Sequence, residues 1–288
     1  MTYHCPNISC LNHLEPKPGF YIKKGYYKTL HNSQKVPRYA CKACGKKFSS
    51  ASFKDTYRQH KPALNQPVFE VYCSGVTQRR LALLLRCNRK TVVRKFRILS
   101  DKARQVHSAL VFNGDLKTDK VIFDEMETYE HTKLKPLSVP LAVCGRTGKI
   151  LDIGVASMNC KGHLASRSQE LYGPRIDDRM KVGADILKTV KYAAGENITI
   201  FTDAKPAYVT LVKGVLPKAT HRPQVAARQE NKPKDEWNDL WWLNHMAARI
   251  RSDLSRMSRK TWVTTKKPKE LWRHLYLFIA YVNGYALT

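Results

Sequence analysis

The chain has 288 residues, 43% of them hydrophobic, which suits two or three small domains with cores of their own. Fifty-one Lys and Arg stand against 23 Asp and Glu, and the resulting formal charge of +28 is spread along nearly the whole length. That balance calls for a polyanionic partner, nucleic acid first. A membrane partner is excluded at this level: no apolar run approaches the roughly 20 residues of a span, and no signal peptide, lipid anchor or basic amphipathic helix is evident.

A strongly basic chain without an export signal is expected in a reducing compartment, the cytoplasm, so its eight cysteines are not read as a disulfide framework. Four of them form a metal-ligand pattern. Cys5 and Cys10 make a Cys-x4-Cys pair, and Cys41-Lys42-Ala43-Cys44-Gly45-Lys46-Lys47-Phe48 makes a Cys-x2-Cys pair in which Gly45 permits the turn and Phe48 caps a small core. Two such turns place four thiolates around one ion, the arrangement of structural Zn²⁺, here a zinc ribbon over residues 1–55. The wider spacing of the first pair leaves His4 or His13 open as a replacement ligand. Short strands are expected between the pairs, around Tyr21, Ile22, Tyr26, Tyr27 and Tyr39. Cys73, Cys87, Cys144 and Cys160 sit among apolar neighbours and are expected to be packing residues.

Residues 60–110 are expected to form a helix-turn-helix DNA-binding domain. A short helix over 66–72 tolerates Pro67 in its first turn and stops at Ser74-Gly75. Thr77 caps a second helix carrying Leu81, Leu83, Leu84 and Leu85. After a break at Arg86-Cys87, Asn88 caps a third helix that buries Val92, Val93, Phe96 and Leu99. Arg89, Lys90, Thr91, Arg94 and Lys95 point away from that face, where a recognition helix meets bases and phosphates. An ordinary helical bundle with a solvated basic face is the alternative.

From residue 115 to 288 the pattern alternates strand and helix. Lys120-Val121-Ile122-Phe123-Asp124-Glu125 is an apolar strand ending in acid, and 137–144 and 149–157 are the next two strands, joined through Gly145-Arg146-Thr147-Gly148. A helix over 182–194 follows, then the strand Asn197-Ile198-Thr199-Ile200-Phe201-Thr202-Asp203. This is the element order of an RNase H-like domain, a mixed sheet with helices, so the whole chain is expected to be a multidomain α+β and α/β protein. In that fold the first and fourth strands are neighbours, so Asp124 and Asp203 come together and can hold two Mg²⁺ or Mn²⁺ ions about 3.5–4 Å apart. Strand alternation turns Glu125 and Glu127 off the face of Asp124.

With these motifs in hand, most of the chain resembles the short bacterial insertion-sequence transposases that join a zinc ribbon and helix-turn-helix to a DDE-type domain. The resemblance is carried by the two cysteine pairs with Arg38-Tyr39 before the second, by Asp124-Glu125, and by Thr202-Asp203-Ala204-Lys205-Pro206-Ala207-Tyr208. It continues in the C-terminal block from Ile250 to Trp262, with Thr264-Thr265-Lys266-Lys267 after it. It implies metal-dependent cutting and joining of double-stranded DNA at the terminal inverted repeats of an element and at a target, with at least a homodimer on the DNA, at the nucleoid of a prokaryotic cell. It also implies a basic C-terminal helix in which Arg251, Arg256, Arg259 and Lys260 contact DNA. One position departs from the family: its third acid, a glutamate about seven residues before the position of Arg251, falls here on Asn244, followed by His245. Either residue is a candidate third ligand in the catalytic site, and Asp239 and Glu236 lie near but out of register. Loss of catalysis with DNA binding retained, giving a regulator derived from a transposase, therefore stays open, as does an RNA-binding zinc-ribbon protein, against which the strand order speaks. Trp237, Trp241, Trp242 and Trp262 surround this helix as core or dimer contacts, or as stacking surfaces for a base.

Overall fold

The computed structural model describes residues 3–29, 34–225, 238–258 and 262–287. The chain divides into two compact units, one reaching to Asn65 and the other running from Gln66 to Leu287. Together they make a mixed α/β protein with a cysteine cluster near its N-terminus.

The first unit is a three-stranded antiparallel sheet, β1 (Tyr21–Lys28), β2 (Lys35–Cys41) and β3 (Lys47–Ser49), in that order. The aromatic run of β1 suits a pleated surface. Gly25, in the left-handed region at φ +78°, sits at the register shift between Lys23 and Tyr26. The core is small: Phe20 and Phe48 stack at 6.0 Å beside the buried Cys5, Cys10 and Cys41, with Tyr3, Tyr21, Tyr39 and Phe53 around them.

The second unit opens with three helices, α1 (Asn65–Tyr72), α2 (Gln78–Leu84) and α3 (Arg89–Asn113). The expected caps are present: Thr77 Oγ1 accepts from the Arg80 amide at 3.3 Å and Asn88 Oδ1 from the Lys90 amide at 2.8 Å. Between them Arg86 adopts a left-handed φ of +45° in the turn. The third helix runs 25 residues, well beyond its basic start, because Leu99, Ala103, His107 and Val111 continue the buried stripe down to Gly114, a left-handed C-cap. Tyr72, Leu81, Phe96 and Leu99 belong to the same core as the sheet residues Ile122, Leu141 and Phe201, so these helices fold as part of the larger unit. Leu81 is buried, whereas Leu83 and Leu84 face solvent, since a two-turn helix has room for only one apolar stripe.

The sheet consists of β4 (Lys120–Tyr129), β5 (Pro136–Cys144), β6 (Ile150–Ile153), β7 (Ala156–Ser157), β8 (Thr199–Asp203) and β9 (Thr220–Gln224). Its order is β6-β5-β4-β8-β9, with β7 on the edge of β5. β4, β5 and β6 pair antiparallel, whereas β8 joins β4, and β9 joins β8, in parallel. Between β7 and β8 lie α4 (Ala165–Tyr172) and α5 (Arg179–Ala194), α6 (Pro206–Val215) connects β8 to β9, and α7 (Trp241–Asp253) and α8 (Pro268–Val282) follow. Both faces of the sheet are covered, which is why β5 is buried from Leu137 onward and reads as a continuous apolar run. Ile122, Phe201, Leu243 and Ile250 fill the core on one face; Val121, Phe123, Ile200, Leu187 and Leu211 fill the other. No described helix is long and apolar enough to cross a membrane.

Two histidines sit deep in this unit. His274 stacks on Tyr72 at 4.0 Å and receives or donates one bond, 3.1 Å, between Nε2 and the Tyr72 carbonyl. Burial, with Arg256 nearby, holds it well below the ordinary histidine value, and burial lowers His107 as well, against the opposing pull of Asp152. Both are depressed in the fold, so the unfolded chain takes up protons first as pH falls. Their contribution is fully present above the unfolded value of about 6.5 and is lost below it. Thermal unfolding followed by tryptophan fluorescence reports this unit alone, because all five tryptophans lie after residue 66. The melting temperature is expected to fall as pH drops below about 6.5, with a shallower slope in His274→Gln. A slope unchanged by that substitution contradicts the assignment.

Candidate functional site

In the first unit the two turns bring Cys5, Cys10, Cys41 and Cys44 together with all four sulfurs within 4.8 Å of one another. Cys5 Sγ lies 3.5 Å from Cys44 Sγ, and Cys10 Sγ lies 3.8 Å from Cys41 Sγ. A tetrahedral ion with Zn–S bonds of about 2.3 Å requires sulfurs about 3.8 Å apart, so the donors fit zinc. Gly45, at φ +70°, closes the second turn with its amide on the Cys41 carbonyl at 2.9 Å. Burial pushes the Cys5 thiol up to about 12, while the Lys46 amide leads the interactions that bring exposed Cys44 down to about 6. His13 uses Nδ1 on the Cys5 carbonyl at 2.6 Å and His4 packs on Phe53, so neither stands in the sulfur group. With every position filled by sulfur, such a site has no vacancy for a substrate.

In the second unit the register of the parallel pair sets Ile122 beside Phe201. Two residues further on each strand, Asp124 and Asp203 stand opposite each other on the same face, at the end where β8 stops. Asp124 Oδ1 accepts the Glu125 amide at 2.7 Å and the Tyr208 hydroxyl at 2.9 Å. Asp203 Oδ1 accepts the Lys205 amide at 3.2 Å, a turn that starts α6 ahead of Pro206. Burial raises the Asp124 carboxyl above its usual range, and the facing charge of Asp203 adds to the rise. Burial and the charges of Asp124, Glu125 and Asp203 raise the Tyr208 phenol far above its ordinary value, so it remains a proton donor. Neither Asp124 nor Asp203 has an ion-pair partner among the described residues, in a chain of net charge +28. Lys205 acts on Asp124 only through the field of its charge, and two opposed carboxylates that no ion pair occupies form a donor set suited to divalent metal.

Glu125 turns to the other face and is held by the Ser138 hydroxyl at 2.8 Å and by Lys205 Nζ at 3.3 Å. Glu127 is paired with Lys161 at 3.9 Å.

α7 carries the other candidates on the same side of the sheet as the two aspartates. Leu243, Met246 and Ile250 anchor it in the core, and Asn244 and His245 are exposed. His245 lies flat against Trp241 at 5.2 Å. Among the described residues the four cysteines alone form a group of three or more His, Cys, Asp or Glu ligands at metal spacing, so neither His245 nor Asp239 joins Asp124 and Asp203 in such a group. Asp239 is instead paired with Lys120 Nζ at 2.7 Å. Glu236 and Trp237 lie outside the described residues. Trp242 packs over Gly148, where a β-carbon would come within 2.3 Å of its ring, so that turn admits only glycine. Trp262, by contrast, is 80% exposed.

The basic residues divide. Arg89, Lys90 and Arg94 are exposed at the start of α3 and Thr91 is half-buried. Lys95 departs from expectation: it is 2% exposed, because its position falls within the buried stripe with Val92, Phe96 and Leu99. Arg251 is exposed, but Arg256 is turned inward, its guanidinium donating to the Tyr72 hydroxyl at 2.9 Å. The expected basic helix ends at Asp253 and gives way to a single turn at Ser255–Met257; Arg259 and Lys260 lie outside the described residues. Of the remaining cysteines, Cys73 and Cys144 are buried and Cys87 and Cys160 are half-buried. Sequence reading passed over Tyr208 as a site residue. Its signal was its place in the first turn of a helix that Pro206 opens three residues after the second aspartate.

No family model matches the chain, and no curated protein matches it. Among solved structures, the chain is similar to a Mos1 transposase paired-end complex with left transposon end. The identity is 12% over 77% of this chain and 76% of that chain, with a TM-score of 0.27, a superposition too loose to transfer residues between the two.

Proposed function

We propose that the second unit is an RNase H-like DDE-type domain and that the chain is an insertion-sequence transposase, cutting and rejoining DNA at the ends of its element in the bacterial cytoplasm. The observation that carries the reading is the pair Asp124 and Asp203, opposed on neighbouring parallel strands and without an ion-pair partner among the described residues of so basic a chain. The strand order β6-β5-β4-β8-β9 supports it. Two Mg²⁺ or Mn²⁺ ions bound there supply Lewis acidity and an activated oxygen nucleophile. Asp124 and Asp203 would hold them, with Asn244 or His245 as the third ligand. The scissile phosphate brings its own anionic oxygens, which lessens the need for a third acid. The first unit is a zinc ribbon, and α2 and α3 are the helix-turn-helix; both serve DNA binding, and a dimer holds the two ends together.

A second reading is supported by one observation: no third acid or histidine stands at ligand distance with Asp124 and Asp203 among the described residues. It makes the chain a regulator that binds element ends without cutting them. Incubation with duplex DNA carrying the repeats that flank the gene decides between them. Strand cleavage in millimolar Mg²⁺, or better in Mn²⁺, supports the transposase, while specific binding without a cut in either metal leaves the regulator.

DNA affinity is expected to fall steeply with salt, with a log–log slope of about 0.9 for each phosphate neutralised. Arg89→Ala or Arg94→Ala should weaken binding to element ends more than binding to unrelated DNA, because both side chains are exposed at the start of α3. Titration on both DNAs measures this; equal losses reduce the two arginines to backbone contacts.

A further inference from the structure

We infer that Tyr208 is a positioning residue that commits Oδ1 of Asp124 to the protein and leaves Oδ2 as a one-oxygen metal ligand. The inference rests on the metal-site reading above. Oδ1 already accepts two hydrogen bonds, from the Glu125 amide at 2.7 Å and the Tyr208 hydroxyl at 2.9 Å, which fill its two lone-pair directions. Asp203 repeats the arrangement in weaker form, with the Lys205 amide on its Oδ1 at 3.2 Å. Each carboxylate therefore has one oxygen tied to its own chain, and the other is the natural donor to an ion.

What makes Tyr208 suited to the task is its rigidity. The ring is 1% exposed and meets Phe123 edge-on at 5.3 Å, and it belongs to the first turn and a half of α6, whose entry Pro206 fixes. Phe123 in turn precedes Asp124 on β4. The hydroxyl is thus held against the carboxylate by packing from both strands' neighbours, and it sets the carboxylate plane without touching DNA. Outer hydrogen bonds of this kind orient ligands, and their loss ordinarily costs about 10–100-fold in metal affinity.

The test is Mn²⁺ binding to the zinc-loaded full chain, read by electron paramagnetic resonance of the free ion, with thermal unfolding measured in parallel. Tyr208→Phe keeps the ring and removes only the hydroxyl. It is expected to weaken Mn²⁺ binding about tenfold or more while the melting transition stays close to wild type. Asp124→Asn serves as the reference for a broken site. Wild-type binding that depends on Asp124 but is unchanged in Tyr208→Phe overturns the positioning role and leaves the metal site standing. Wild-type protein that binds no Mn²⁺ beyond the Asp124→Asn level overturns the metal site, and the positioning role with it. Should Tyr208→Phe fail to fold, carboxylate infrared difference spectra of the wild type on Mn²⁺ addition, with ¹³C-labelled aspartate, take its place. A one-oxygen signature supports the inference, and a two-oxygen chelate overturns it.

Discussion

Asp124→Ala and Asp203→Ala are each expected to reduce metal-dependent strand cleavage by about a thousandfold or more, the order lost when charge stabilisation worth about 4 kcal/mol disappears from a transition state. DNA binding should stay near wild type or improve slightly, since each substitution removes a carboxylate that repels phosphate. The two losses are expected to be equivalent because the residues face each other across one strand pair. The same assay resolves the departure at the third position. Asn244→Glu restores a charged oxygen donor on α7 and is expected to keep or raise activity. If His245→Ala is inactive while Asn244→Ala is active, the third ligand is His245, which must then leave its stack on Trp241. Cleavage that survives both aspartate substitutions removes the site.

Stripping zinc is expected to unfold the first unit and leave the second intact. Two buried phenylalanines are worth about 1.5–3 kcal/mol each, against an ordering cost of about 1–2 kcal/mol for every residue of backbone. Metal binding to four thiolates, worth about 10–16 kcal/mol in comparable peptides, is a larger contribution than that small aromatic core supplies. Elemental analysis should find one tightly bound zinc per chain. Chelation or Cys41→Ser should collapse the dispersed amide signals of the first unit in NMR spectra, with the tryptophan-reported transition of the second unit preserved. Native protein without zinc, or a Cys41→Ser variant that retains its zinc fully, contradicts this account.

The local features were legible in the sequence because they depend on neighbours in the chain. The cysteine spacings specified two tight turns, Thr77 and Asn88 announced the starts of α2 and α3, and two apolar runs reaching an aspartate marked β4 and β8, although β4 does not end there but continues to Tyr129 against β5. Side-chain direction on a short or long helix was less legible. Lys95 was read as outward from its charge, yet the 25-residue helix needs that position for its buried stripe, and burial lowers its ammonium below the ordinary lysine range. Arg256 was read as a DNA contact from a run of basic residues, but the helix ends at Asp253 and the guanidinium turns to Tyr72, a residue 184 positions away.

Sequence by itself thus determined which residues are able to do chemistry: four thiols at ligand spacing, two aspartates on apolar strands, and a charge that demands an anionic partner. Only the tertiary structure decided which of them meet. The parallel pairing of β4 with β8 joins distant segments of the chain and sets Asp124 against Asp203, and the packing of α6 on Phe123 delivers the Tyr208 hydroxyl to one oxygen of Asp124. Strand order and helix packing are settled by burial of both sheet faces at once, a condition of the whole core that no local stretch of sequence encodes.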